Sequence, residues 1–199
     1  MREYNVKTEI VPAIKDIGGL VWTAPYYVNL AAIRDLSNPD SWNDTFIYFY
    51  WRKSGELVYT QVNEFTTDPG VKCLETPQNS KGCAILADGF HRKLWRLGYH
   101  KGYEALQQYS SAKVYRDNNK DDVFDLDPAT FDEGMFGINL HRANVNSVAE
   151  KVGGHSAGCF VFRKIYDFNK FLETIKFSQR NCSQRYYSVS VFDKSYFNK

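Results

Sequence analysis

Several features that define common protein classes are scarce or absent in this chain of 199 residues. It has only four cysteines and four histidines, without a CxxC pair or the Cys/His spacing of a zinc finger. This scarcity excludes a disulfide-dense scaffold and a zinc-finger protein. Basic and acidic residues nearly cancel, at a net charge of +2, which argues against a polybasic nucleic-acid-binding arm or an acidic disordered tail.

Long apolar runs are also missing. No stretch approaches about 18 uninterrupted apolar residues, so the sequence predicts no membrane span. The N-terminal segment MREYNVKTEIVPA lacks the apolar core and cleavage pattern of a secretory signal. We therefore expect synthesis in the cytoplasm, and delivery by another route if the target lies outside it. With no internal repeat, we expect one domain over 1–199, with 1–59 as N-terminal strands of the same domain or a small extension.

Aromatic residues are abundant, at 16% of the chain. Segment 46–64 reads as two aromatic and β-branched strands around a Lys-Ser-Gly-Glu turn. One helix follows Asp167, a predicted N-cap, and carries an apolar stripe at Phe168, Phe171, Leu172 and Ile175. The sequence thus predicts a mainly β fold with few helices (α+β). Most aromatics belong to this scaffold, which leaves Phe136, Tyr99 and Tyr103 as candidates for substrate contact.

One pairing of residue types points to chemistry. His141 ends the strand-like segment GINLH, and Cys159 follows eighteen residues later in GGHSAGCFVF. A nucleophilic thiol needs a base or a cationic neighbour, and it needs backbone N–H groups aimed at the developing oxyanion. Gly158 permits the close backbone approach that the second requirement demands. From these residues alone, a buried structural cysteine beside a glycine turn is the favoured interpretation.

The segment from GINLH to SAGC resembles the signature of the L,D-transpeptidase (YkuD-type) catalytic domain, in which a histidine and a loop of this length precede Ser-His-Gly-Cys. Ser156, Gly158 and Cys159 match that signature. Ala157 stands where the family has a second histidine, so the chain resembles most closely a phage and bacterial subgroup with Ser-Ala-Gly-Cys. A weaker resemblance extends over about 60–199.

The resemblance implies a β-sandwich or curved sheet with a packing helix near the C-terminus. It implies that Cys159 attacks a carbonyl of a peptidoglycan stem peptide while His141 takes the thiol proton. The N–H groups near Gly158 would bind the oxyanion. An amine or water would then resolve the thioester, so the activity is transpeptidation or endolysin-like hydrolysis. No metal or cofactor is implied, and a phage-encoded protein would be virion-associated or released to the cell wall.

Four further residues are candidates for substrate binding: Ser156, His155, Arg142 and Phe136. His155 is a candidate substitute for the missing family histidine, and Arg142 is suited to bidentate binding of a carboxylate. The basic and aromatic segment HRKLWRLGYHKGY, which contains His100, is interpreted as a solvated face over a core Trp95, so no nucleic-acid partner is predicted. Arg116 and Asp117 are interpreted as a structural ion pair. Cys73 and Cys83, ten residues apart, are expected to be free thiols.

Two alternatives stay open. The missing family histidine at Ala157 also fits a non-catalytic structural or wall-binding virion protein that keeps the fold. A metal hydrolase is the other alternative, with His141, His155 and Cys159 as three ligands of a catalytic zinc. The sequence indicates neither the host nor an oligomeric state.

Overall fold

The structure is a computed structural model that describes residues 2–198. Its strands are β1 (Asn29–Arg34), β2 (Asp44–Trp51), β3 (Leu57–Thr66), β4 (Cys83–Leu86), β5 (Gly89–His100), β6 (Tyr103–Gln108), β7 (Ala112–Asp117), β8 (Asp132–Gly134), β9 (Leu140–Arg142), β10 (Phe160–Phe162) and β11 (Tyr186–Asp193). Its α-helices are α1 (Val11–Asp16), α2 (Val71–Glu75) and α3 (Ile165–Cys182). A π-helical turn (Val6–Ile10) and three 3-10 turns (Pro128–Thr130, Gly153–His155 and Lys194–Phe197) complete the regular elements of these residues.

Eight of the strands close into a barrel, in the order β1-β11-β5-β6-β9-β10-β3-β2. Two neighbouring pairs, β1–β11 and β9–β10, are parallel, and the other pairs are antiparallel. Strands β4, β7 and β8 form a separate three-stranded sheet. The prediction of a mainly β protein with few helices and a packing helix near the C-terminus is confirmed. The eight-stranded sheet closes on itself, however, where the family resemblance implied a β-sandwich or curved sheet, and closure leaves no edge strand in the barrel unpaired.

The hairpin of β2 and β3 was predicted correctly. Its turn is closed by the amide of Arg52, which donates to the carbonyl of Glu56 at 2.9 Å. Side chains of β2 alternate between two environments because successive residues of a strand point to opposite faces. Phe46 belongs to the core shared by all the barrel strands, whereas Ile47 packs against the N-terminal helical segment.

Aromatic rings fill the barrel core, as the composition indicated. Phe46 stacks on Phe65 with centroids 4.7 Å apart, and Phe171 of α3 meets Phe46 edge-on at 5.5 Å. The predicted apolar stripe of α3 is buried in this core. The predicted N-cap was wrong: Lys164, in extended conformation, precedes the helix, and Asp167 lies in its first turn, where a carboxylate favours the helix dipole.

The parallel pairing of β9 and β10 positions the candidate site. Parallel neighbours require a crossover connection, and here residues 143–159 supply it. Val152 of this crossover packs with Trp42 and Val161 on the side of β10 that faces away from the barrel core. Among residues 2–198, the helices are all too short or too polar to cross a lipid bilayer.

Candidate functional site

His141 and Cys159 lie on the side of β9 and β10 that faces away from the barrel core. Leu140 pairs with Phe160 in register, and both side chains enter the core, so the residues next to them point outward. His141 pairs with Val161, and the amide of Phe160 donates to the carbonyl of Asn139 at 2.8 Å. Cys159 therefore lies opposite Asn139, two positions from His141. The crossover thus brings the predicted nucleophile and base to neighbouring strands.

The thiol of Cys159 is neutral in this environment. It is partly exposed and donates to the carbonyl of Gly137 at 3.4 Å, and within residues 2–198 it makes no hydrogen bond to His141. Burial of the sulfur raises the pKa of Cys159 above its ordinary value of 9.0, although the amide of Asn139 and the charge of Lys101 act in the opposite direction. The free protein therefore holds a thiol and not a preformed thiolate.

His141 is also neutral, and its tautomer is set by the backbone. The ring is 5% exposed, and Nδ1 lies 2.9 Å from the carbonyl oxygen of Arg142. A carbonyl accepts hydrogen bonds only, so Nδ1 carries the proton and Nε2 keeps the lone pair that a base needs. Burial lowers the pKa of His141 from 6.5 to about 4, and the neighbouring His100 and Lys101 add to this effect. The imidazole is thus unprotonated and able to accept a proton at neutral pH.

The turn before Cys159 is fixed by Ser156 and Gly158. The hydroxyl of Ser156 donates to the carbonyl of Cys159 at 2.7 Å and accepts from the amide of Gly158 at 3.1 Å. Gly158 has a φ of +113°, and a Cβ there would lie 2.0 Å from the carbonyl oxygen of Ala84, so only glycine fits.

The structure bears on two of the predicted site residues in this turn. Ser156 is 1% exposed and its hydroxyl is bonded internally, so it holds the turn, and its contact with substrate stays a prediction. The amide of Gly158 is occupied by the same hydroxyl and is not a free oxyanion donor. In the part of the chain that the structure describes, the amide of Cys159 has no acceptor. The amide of Cys159 is thus available to an oxyanion at this turn.

Arg142 and His155 flank the imidazole in different ways. The guanidinium of Arg142 lies 3.9 Å from the ring centroid of Tyr103, whose hydroxyl is 3.4 Å from Nδ1 of His141. Arg142 forms no ion pair with a carboxylate of residues 2–198, so its charge is available to an anionic ligand. His155 ends a 3-10 turn, and its ring centroid is 6.4 Å from that of Trp42.

A groove of about 350 Å³ adjoins Cys159. Phe136 and Ala157 line it, and Phe136 precedes Gly137, the residue that accepts the thiol hydrogen bond. Arg116 lines it as well, and the interpretation of Arg116 and Asp117 as an ion pair was wrong. Arg116 pairs with Asp132 at 3.2 Å because β7 and β8 are neighbours, while alternation turns Asp117 away.

Cys73 and Cys83 lie on the same groove. They are free thiols, as predicted, and the thiol of Cys83 donates to the carbonyl of Cys73 at 2.7 Å. Tyr99, a third aromatic candidate for substrate contact, is 64% exposed on β5 and is absent from the groove lining.

Two residues that anchor the crossover were not predicted from the sequence. Asp40 accepts hydrogen bonds from the amides of Val71 and Gly153, at 3.3 and 2.5 Å. Gly70 donates to the carbonyl of Ser156 at 3.0 Å, and a Cβ on Gly70 would lie 2.0 Å from the carbonyl oxygen of Gly153. Both residues hold the turn that precedes Cys159, although they lie far from it in the sequence. No local motif predicts this role.

The ligand set of a metal hydrolase is not assembled. Residues 2–198 contain no group of three or more His, Cys, Asp or Glu side chains arranged to hold a metal ion. His141, moreover, has Nδ1 bound to a carbonyl, and the thiol of Cys159 faces Gly137. The residues present thus do not fit the zinc site that the sequence left open.

Comparison with known proteins finds no matching family model, no matching curated protein and no matching solved structure. The interpretation of the site therefore rests on its own geometry and on the resemblance of its sequence motif.

Proposed function

We propose that this protein is a cysteine-dependent enzyme that processes peptidoglycan stem peptides through a thioester. The observation that carries the proposal is the placement of His141 on β9 and of Cys159 directly before the parallel strand β10, both outside the barrel core, with a groove lined by Ala157 next to the Cys159 turn. The motif resemblance to L,D-transpeptidase catalytic domains supplies the substrate class. The finer fold assignment, an L,D-transpeptidase-like domain, belongs to the same proposal.

The reaction starts from a neutral thiol and a neutral imidazole. When the substrate binds, Nε2 of His141 takes the proton from Cys159 as the sulfur attacks the peptide carbonyl. The amide of Cys159 donates to the oxyanion. The C–N bond then breaks, the leaving amine receives the proton from His141, and a thioester remains. An amine that attacks the thioester completes a transpeptidation, and water completes a hydrolysis.

The missing hydrogen bond between Cys159 and His141 fits this order of events. Catalytic hydrogen bonds are often long in a free enzyme and tighten when substrate is bound. The neutral imidazole with a fixed Nδ1 proton supports its role as base, because Nε2 is the acceptor without any change of tautomer. As part of the proposal, a phage-encoded protein acts at the cell wall after delivery by the virion or release from the cell.

Mass spectrometry of muropeptides incubated with the purified protein tests the proposal. We expect shortened or exchanged stem peptides with the wild type, and no product with Cys159→Ala. Cys182→Ala is the matched control, since this thiol lies elsewhere and contacts the carbonyl of Tyr26 at 3.3 Å. Activity that survives Cys159→Ala would refute the mechanism.

One observation favours a second candidate, a structural or wall-binding protein without catalysis. Burial holds the pKa of Cys159 above its ordinary value, and the thiol is bonded to Gly137 in place of His141. For this candidate we expect no product and no acylated Cys159 in the intact mass, but sedimentation of the protein with purified cell walls. Acylation of Cys159 by a stem peptide would eliminate it.

A further inference from the structure

The groove beside Cys159 has a positive charge at a fixed point. Arg116 is the one charged residue among the described residues that line it. Phe136 and Met135 add apolar surface to the groove, and Gln78 and Asn79 add amide groups. A groove of about 350 Å³ that places one oriented charge beside an aromatic ring is large enough to hold part of a ligand.

The guanidinium of Arg116 is held on three sides. Nε pairs with Asp132 at 3.2 Å, Nη1 donates to the carbonyl of Gly82 at 3.1 Å, and the ring centroid of Phe136 lies 4.7 Å from the guanidinium carbon. Its side chain is 12% exposed. Nη2 donates no hydrogen bond within residues 2–198. Two N–H groups of a rigid fork thus remain available to a ligand.

The charge of Arg116 is only partly neutralised. Asp132 also pairs with Lys81 at 3.2 Å, so one carboxylate serves two cations and a net positive charge remains. A planar guanidinium with free N–H groups and excess charge favours a carboxylate, which it binds through short, charge-assisted hydrogen bonds.

We propose that Arg116 binds the free C-terminal carboxylate of the peptide that acylates Cys159, and that it thereby selects peptides with an unblocked end. This inference rests on the proposed function and names the substrate feature that the site selects. The groove extends from Arg116 toward Cys159. Ala157, which lies two residues before Cys159, lines the groove, and so does Ala84, whose carbonyl oxygen lies close to the backbone of Gly158. A peptide with its carboxylate on Arg116 extends along Phe136 toward the sulfur.

Binding without chemistry tests the inference separately from the proposed function. Calorimetry on the Cys159→Ala variant compares a synthetic stem tetrapeptide ending in D-alanine with its C-terminal carboxamide. We expect the free acid to bind at least about tenfold more tightly, since the amide loses the charge-assisted hydrogen bonds. Arg116→Gln in the same background removes this preference. Lys113→Gln is the matched control and retains it, because Lys113 is an exposed cation on the same strand that lies over the ring of Phe131 and does not line the groove.

Equal affinity for the two peptides, failure of both to bind, or a preference that persists in Arg116→Gln would overturn the inference. If Arg116→Gln does not fold, the comparison of the two peptides on Cys159→Ala still decides the point, and Arg116→Lys keeps the charge with altered geometry. The intact mass of the wild-type protein after incubation with both peptides reports on the proposed function alone. Acylation without preference would refute the role of Arg116 and leave the cysteine mechanism standing.

Discussion

The imidazole of His141 stacks on that of His100, with ring centroids 4.1 Å apart and planes within 10° of parallel. Two imidazolium ions at this separation repel each other, and burial disfavours the charge on either ring. The stack therefore helps to keep His141 neutral, the state in which it can accept a proton from a thiol. His100 had been interpreted from the sequence only as part of a solvated basic face.

Removal of the stacked ring is expected to raise the pKa of His141. In a His100→Ala variant, the repulsion is lost and water reaches the imidazole, so the pKa rises from about 4 toward the ordinary value of 6.5. Burial against the rest of the site keeps it below that value. NMR titration of the His141 ring protons measures the shift. An unchanged or lower pKa would contradict this role of His100.

The depressed pKa of His141 also makes stability depend on pH. The unfolded chain binds a proton near pH 6.5 and the folded protein only near pH 4, so protonation favours the unfolded state in this window. The contribution of His141 to the free energy of unfolding is complete above pH 6.5 and is reduced by about 3 kcal/mol at pH 4. Urea unfolding of the wild type and His141→Gln at both pH values isolates the effect, because the variant lacks the titrating group. A difference between the two proteins that does not change with pH would exclude it.

Alkylation of Cys159 is expected to accelerate with pH and to show no plateau near neutrality. Only the thiolate reacts, and burial raises the pKa of Cys159 above 9.0. The rate with iodoacetamide, followed by peptide mass spectrometry, should increase about tenfold per pH unit between pH 6 and 8. A plateau that begins below pH 7 would indicate a stabilised thiolate in the free protein.

Substitution of Gly158 should be far more disruptive than substitution of Gly154. A Cβ at Gly158 meets the carbonyl oxygen of Ala84 at 2.0 Å, and its positive φ strains any side chain, whereas a Cβ at Gly154 meets no atom within 4 Å. We expect Gly158→Ala to lose at least about 2 kcal/mol of unfolding free energy, and Gly154→Ala to change it by less than about 1 kcal/mol. Thermal and urea denaturation compare the two. Similar losses in both variants would show that the close approach to Ala84 is not required.

The buried charge of Arg34 is expected to be essential for folding. Its side chain is fully buried and pairs with Asp68 at 2.7 Å and with Asp88 at 2.9 Å. Arg34→Met leaves these carboxylates without a cation, which costs about 3–5 kcal/mol. Arg52→Met is the control, because its ion pair with Glu56 is exposed and worth less than about 1 kcal/mol. Urea unfolding of both variants tests the contrast, and an equal loss would contradict it.

Local patterns predicted the local elements of this fold. The β2–β3 hairpin and the apolar stripe of α3 follow from strand alternation and helical periodicity within short windows. Closure of the barrel depends on pairings between distant strands, such as Leu30 with Val189, which no short window contains. The N-cap of α3 was placed three residues too late because Asp167 is also favoured in a first turn.

The sequence indicated Cys159 and His141 as a candidate pair through their spacing and a motif resemblance, whereas their surroundings arise from chain segments far apart. The His100 stack requires β5 and β9 to lie on either side of β6, and the link between Arg116 and Asp132 requires β7 to pair with β8. The burial of Ser156 by neighbouring segments likewise cannot be read from a tripeptide.

The crossover of residues 143–159 has a restrained end and an exposed stretch that lacks these restraints. Backbone pairing of β9 with β10 sets the distance between Cys159 and His141, and Asp40 fixes the end of the crossover at Val152 and Gly153. The exposed stretch 145–148 takes part in neither restraint. Changes in its length and composition are therefore expected to leave the spacing of Cys159 and His141 unaltered.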